Sequence, residues 1–227
     1  MAEMVITIDG PAASGKSTVA KLLAEKLGAS FLDTGAMYRA VTLAAIEAGV
    51  DIRNEEKLLE IVQTTDFQFS VRQGQMAVSK DGVDVTEQIR QPQVTANARH
   101  IASKASLREK LVEMQRQFVT GQKKIVTEGR DQGTVAFPDA DIKFYLMADI
   151  VVRAKRRQAE LRAKGLDVNL EQIQWTIEQR DKSDQSRAVG PLRPASDAII
   201  IDTTDLSLEE VVEKVLRFVQ EKCSKKD

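Results

Sequence analysis

Cysteine, histidine and net charge are all scarce in this chain. Its 227 residues include one cysteine, Cys223, and one histidine, His100. A single cysteine excludes an intramolecular disulfide and leaves no thiolate cluster for a metal. The 33 basic and 34 acidic residues leave a formal charge of −1, so no global field draws in a nucleic-acid polymer or a membrane surface. Any anionic ligand must therefore be held by cations clustered locally. No apolar run reaches membrane-spanning length, and the opening "MAEMVITID" lacks the pattern of a signal peptide. The expectation is a cytoplasmic protein with no membrane partner. Internal repeats and low-complexity segments are also missing. What is present is an ordinary globular composition, 42% hydrophobic and 30% charged, in a chain long enough for one domain with insertions or two small ones.

Apolar runs at residues 4–9, 30–33, 124–131, 141–148 and 198–202 read as strands. Helical stripes fall at 16–27, 35–49, 54–63, 93–120, 149–164, 169–186 and 207–223, with Gly28 as the C-cap of the first. Strands alternating with helices at both ends predict an α/β fold with a parallel sheet. Between them "DFQFSVRQGQMAVSKDGVDVTEQI" alternates polar and apolar residues and breaks at Gln73-Gly74 and Asp81-Gly82. That pattern predicts a small antiparallel meander inserted into the α/β frame.

Gly10, Pro11, Ala12, Ala13, Ser14, Gly15, Lys16 and Ser17 match G-x-x-x-x-G-K-[ST], with a strand before and a helix starting. Small residues let the backbone wrap a polyphosphate, while the helix N-terminus adds positive charge at the same place. The loop, with Thr18, is expected to bind ATP. Lys16 would reach the β- and γ-phosphates and Ser17 would ligate Mg²⁺. Neither the N-K-x-D segment of GTPases nor an apolar strand ending in Asp-Glu occurs. A kinase acting on a small acceptor needs a second anion site, and arginine's planar fork suits one. Arginines sit beside acidic or turn residues in "DTGAMYR", "LRE", "EGRDQGT", "RAKRR" and "RDKSDQSR", and three of these groups follow strand-like runs. Ligands collect at such strand ends in a parallel sheet.

"DTGAMYR", "EGRDQGTVAFPDA" and "RDKSDQSRAVGPLRPASDAIIIDTT" resemble the signatures of bacterial cytidylate kinases, nucleoside monophosphate kinases, and the resemblance runs nearly end to end. It implies a P-loop nucleoside monophosphate kinase fold that phosphorylates CMP and dCMP with ATP. The implied organisation is a core at 1–35 and 105–227, a monophosphate-binding domain at 36–104 and a helical lid at 150–169. By matching positions, Thr34, Arg39, Arg130 and Arg180 surround the acceptor phosphate. Arg108 and Asp131 read cytosine, and Asp184 and Arg187 lie near ribose and phosphate. Lys16, Arg153 and Arg157 form the catalytic set, the two arginines closing from the lid over ATP. Asp33 and Glu128 stand at strand ends beside the loop as holders of Mg²⁺-shell water. A carboxylate at Asp131 suits the N4 amino group of cytosine and opposes the O4 of uracil. Positioning and charge neutralisation dominate phosphoryl transfer, so no general base is nominated and His100 is read as structural. Thr34 stands where family members often carry serine, and "NARHIASKASLR" departs from the commoner form before Arg108. A kinase for UMP, AMP or shikimate on the same fold, and a non-enzymatic nucleotide switch, are the competing readings. With no long exposed apolar stripe in the sequence, a monomer is expected.

Overall fold

The computed structural model describes residues 2–72, 74–163 and 165–224. Gln73, at the expected hairpin break, and Lys164, within the expected lid, lie outside the described residues. Five parallel strands form the main sheet: β1 (Met4–Asp9), β2 (Ser30–Asp33), β6 (Lys124–Gly129), β7 (Ile142–Met147) and β8 (Ile199–Asp202), in the order β2-β6-β1-β7-β8. β3 (Phe67–Arg72), β4 (Gln75–Lys80) and β5 (Val83–Asp84) form the antiparallel meander. The helices are α1 (Lys16–Leu27), α2 (Thr34–Glu47), α3 (Glu55–Thr64), α4 (Pro92–Ala102), α5 (Ala105–Val119), α6 (Ile150–Ala163), α7 (Leu170–Gln185) and α8 (Leu208–Cys223).

The period of two along β1 sorts its side chains between the two faces of the sheet. Ile6 and Ile8 join the apolar layer with Leu23 of α1 and Val215 of α8, whereas Val5 packs in the opposite layer with α2 and α5. Thr7 and Asp9 share the Val5 face and are buried, which puts polar groups under that layer. A third, smaller cluster joins Ala12 of the loop to Ala154 of α6 and Ile173 and Ile177 of α7. α6 and α7 are therefore packed on the phosphate loop itself.

The helix expected over 93–120 is two helices. Lys104 is extended at φ −88°, ψ 121°, and α5 starts after it. The carbonyl of Ala102, at the end of α4, accepts from Arg108 Nη1 at 3.0 Å, so the break spends a helix terminus on holding Arg108. The strand expected over 124–131 ends at Gly129, and a five-residue π-helical turn follows at Gln132–Ala136. Arg130 and Asp131 thus sit between strand and turn.

Candidate active site

Loop 10–15 leaves β1 with β7 alongside. A Cβ on Gly10 would be driven into the Leu146 carbonyl, so only glycine allows this departure. Ala13 then adopts a left-handed φ of 58°. The Ser14 hydroxyl is buried without a partner. Lys16 is 5% exposed and its Nζ donates to the Pro11 carbonyl at 3.0 Å. Burial first, and Arg130 next, pull its pKa down to about 7, with Glu128 opposing. Burial conversely pushes the Glu128 carboxyl above its usual range, against the pull of Lys16. Ser17 Oγ donates to Glu128 Oε1 at 2.8 Å. A hydroxyl beside a carboxylate, with Asp33 acting on the same carboxylate, is the hard-oxygen chemistry that suits Mg²⁺ held mainly through phosphates. Among the described residues no group of three His, Cys, Asp or Glu forms a self-sufficient metal cage.

Asp33 caps α2 by accepting from Ala36 N–H at 3.0 Å and pairs with Arg39 at 2.8 Å. Thr34, buried at the same junction, donates its hydroxyl to the Glu128 carbonyl at 2.8 Å. Its proton thus ties β2 to β6, and the oxygen faces any ligand as an acceptor only. From α7, Asp184 takes Arg130 Nε at 2.7 Å on one oxygen and Arg187 on the other. Burial works against the Asp184 charge, but Arg130, Arg187 and Arg180 outweigh it and hold the carboxyl below the usual range. The Arg180 side chain, exposed to solvent, has no hydrogen bond or ion pair with any described residue and faces Arg130, Arg39 and Arg187 as like charges. Lys16, Arg39, Arg130, Arg180 and Arg187 converge as five cations against three carboxylates, Asp33, Glu128 and Asp184. Arg39 Nε and Arg187 Nε are buried donors without acceptors. Excess positive charge and unsatisfied N–H donors in one place are the chemistry that suits an oxyanion.

Arg108, on α5, is 3% exposed and ion-paired with Asp131. Its guanidinium lies over the Tyr38 ring, 5.6 Å from the centroid, and its Nε has no partner. Burial opposes the Arg108 charge, yet Tyr38 and Asp131 hold it above its ordinary value. Gly190 covers the pair at φ 62°, and a Cβ there would come within 2.6 Å of Arg108 Nη2. The pair offers a carboxylate acceptor beside an unspent donor.

The two expected lid arginines part company. Arg153 is buried, and its Nη1 donates to the Ala12 carbonyl at 2.9 Å and to Asp181 at 2.5 Å. Asp181 returns to the loop by accepting from Ala12 N–H at 3.0 Å. Arg157 is not brought to the loop and pairs with Glu160 along α6 at 2.8 Å. Tyr38, Asp181 and Gly190 escaped the sequence reading although each lies within or beside a quoted motif. Asp9 escaped it too, immediately before the phosphate loop.

The cytidylate kinase family model matches residues 6–221. A cytidylate kinase of Caldicellulosiruptor saccharolyticus is 47% identical over 218 residues, 96% of each chain. One from Bacillus cereus is 47% identical over 214 residues, covering 94% of this chain and 95% of its own. Among solved structures, an uncharacterised Eubacterium ventriosum protein aligns over 96% of this chain and 99% of its own at TM-score 0.51 and 15% identity, a likeness of fold alone.

Proposed function

The chain belongs to the cytidylate kinase family, and we propose that its cleft transfers the γ-phosphoryl group of ATP to CMP or dCMP. The reaction is ATP + CMP → ADP + CDP, with dCMP as the alternative acceptor. The carrying observation is the five-cation cluster with its unpartnered Arg180, Arg39 Nε and Arg187 Nε. It fits an acceptor phosphate better than a ligand of any other charge.

ATP takes the Gly10–Thr18 loop as donor site. The triphosphate restores the charge that burial withdraws from Lys16, because an anion beside the ammonium raises its pKa. Lys16 then neutralises charge developing on the migrating phosphoryl group, while Arg130 and Arg180 align the acceptor phosphate for in-line attack. Mg²⁺, when bound, screens and orients the phosphates; Ser17 would ligate it and Glu128 would hold its water. At the base, Asp131 accepts from N4–H of cytosine and Arg108 Nε supplies a donor to its acceptor edge. Uracil would set O4 against the carboxylate. Asp184 accepts from the ribose while keeping Arg130 and Arg187 in place.

Segment 36–104 serves as the acceptor-side domain, and 150–169 as the lid. Arg153 closes the loop backbone and Arg157 reaches ATP only on breaking from Glu160. No helix among the described residues is long and apolar enough to cross a membrane. The protein works in the cytoplasm as a monomer: its three most exposed large apolar side chains, Trp175, Val83 and Ile200, belong to three separate elements and form no shared stripe.

An assay offering ATP and Mg²⁺ with CMP, dCMP, UMP, AMP or shikimate tests this assignment. CMP and dCMP should give the highest kcat/KM. A preference for AMP or shikimate would refute the assignment of Arg108 and Asp131 to cytosine.

A further inference from the structure

Asp131 stands at the N-cap position of the Gln132–Ala136 turn, where aspartate is among the best side chains for capping free amides. Its side chain makes no such bond. The amides of Gln132 and Gly133 instead donate across the sheet to Asp9, at 2.9 Å to Oδ1 and 2.8 Å to Oδ2. Asp9 is 4% exposed, ends β1 and lies in register with Gly129 of β6. The backbone carbonyl of Asp131 takes the amides of Thr134, Val135 and Ala136, at 3.3, 2.8 and 3.2 Å. With the turn amides from Gln132 to Ala136 satisfied, the Asp131 carboxylate is left to turn the other way, onto Arg108.

We infer that Asp9 is a positioning residue for base selection: it caps the turn in place of Asp131, freeing the Asp131 carboxylate for Arg108 and the nucleotide base. The role of Asp131 in reading the base, proposed above, is the premise. The same carboxylate ties the acceptor-side turn to the strand that launches the phosphate loop, one residue before Gly10. A group that couples the two half-sites matters because a misplacement of about 1 Å can cost roughly a hundredfold in rate.

Removing one acceptor oxygen reopens the competition. In Asp9→Asn the amide NH₂ confronts a backbone N–H, one turn amide loses its partner, and Asp131 gains a reason to swing back over its own turn. The kcat/KM ratio for CMP over UMP should fall at least tenfold and KM for CMP should rise. Affinity for a non-hydrolysable ATP analogue, measured by calorimetry, should stay within twofold. Asp9→Ser, which keeps one acceptor in a smaller side chain, is assayed in parallel in case Asp9→Asn does not fold.

The decisive measurement is the cycle with Asp131→Asn. If Asp9 acts through Asp131, the double variant discriminates no worse than Asp131→Asn alone. Additive losses would overturn the inference, as would an unchanged ratio in both Asp9 variants alongside a reduced ratio in Asp131→Asn. An unchanged ratio in Asp131→Asn itself would overturn the base-reading role and remove the premise. A merely structural Asp9 would lower the melting temperature and leave the ratio alone.

Discussion

Replacing Asp184 by asparagine should damage the ligand-free protein more than the liganded one. The carboxylate is 2% exposed and holds Arg130 and Arg187, whose side chains are 14% and 9% exposed. Asparagine preserves shape and one acceptor but removes the charge that Arg130, Arg187 and Arg180 converge on. Breaking a buried pair by removing one partner costs about 3–5 kcal/mol. For a chain of this size that is a fall of roughly 6–20 °C in melting temperature. Phosphate is the natural remedy, since an anion that binds only the folded state adds RT ln(1 + [L]/Kd). Thermal unfolding of wild type and Asp184→Asn, with and without millimolar inorganic phosphate or CMP, tests this directly. The variant should start lower and gain more from phosphate than wild type does. Catalytically, KM for CMP should rise by about 5–150-fold, the equivalent of about 1–3 kcal/mol for a lost buried partner, and KM for ATP should stay within twofold. A variant as stable as wild type, or equal increases in both KM values, would refute the placement of Asp184 on the acceptor side.

Lys16→Met should lower kcat by at least about a hundredfold, the usual loss when an electrostatic stabiliser is removed. Yet its melting temperature at pH 6 should equal or exceed that of wild type, because a buried ammonium opposed by Arg130 disappears. A kcat within about threefold of wild type would show the loop lysine to be a bystander. Gly190→Ala should reduce kcat/KM for CMP at least tenfold, since the new methyl collides with Arg108 at a left-handed backbone position; steady-state kinetics at saturating ATP are the check. Asp9 predicts a pH dependence of stability. Its pKa, raised from 3.8 to about 7 chiefly by burial, means that the folded state holds more protons than the unfolded state between those values. Its contribution is full below about pH 4 and is lost as pH rises through 7, with Asp131 and Tyr145 facing it as acids and Arg130 as the nearby cation. Urea midpoints of wild type should fall relative to those of Asp9→Asn between pH 5 and 7.5, and parallel curves would refute it.

The phosphate loop, the parallel sheet and the inserted meander were legible because each depends on neighbours in the chain: a strand, a run of small residues, a helical stripe. The arginines that the structure gathers around Asp184 and Asp33 were picked out as a set through the family resemblance. Partners set by the fold were not. Asp181 meets Ala12 across 169 positions, and Asp9 meets Gln132 across 123. No local pattern marks such pairings. The break between α4 and α5 stayed hidden because the sequence 93–120 has no glycine or internal proline after Pro92 to end a helix; the reason for the break lies in Arg108, which binds the freed Ala102 carbonyl. Asp33, read as a holder of Mg²⁺-shell water, also caps α2 and pairs with Arg39, contacts that no local pattern announced.

Arg153 and Arg156 together fix the start of α6. Arg153 is tied to the carbonyls of Ala12 and Ala148, and Arg156 to Thr203 through bonds of 3.0 Å to its hydroxyl and 2.6 Å to its carbonyl. The first two turns of α6 are therefore riveted to the donor loop and to the end of β8. Arg157, one position further along α6, has among the described residues only a local ion pair with Glu160, half in solvent. Freeing Arg157 from Glu160 would therefore break none of the bonds by which Arg153 and Asp181 hold the phosphate loop in shape.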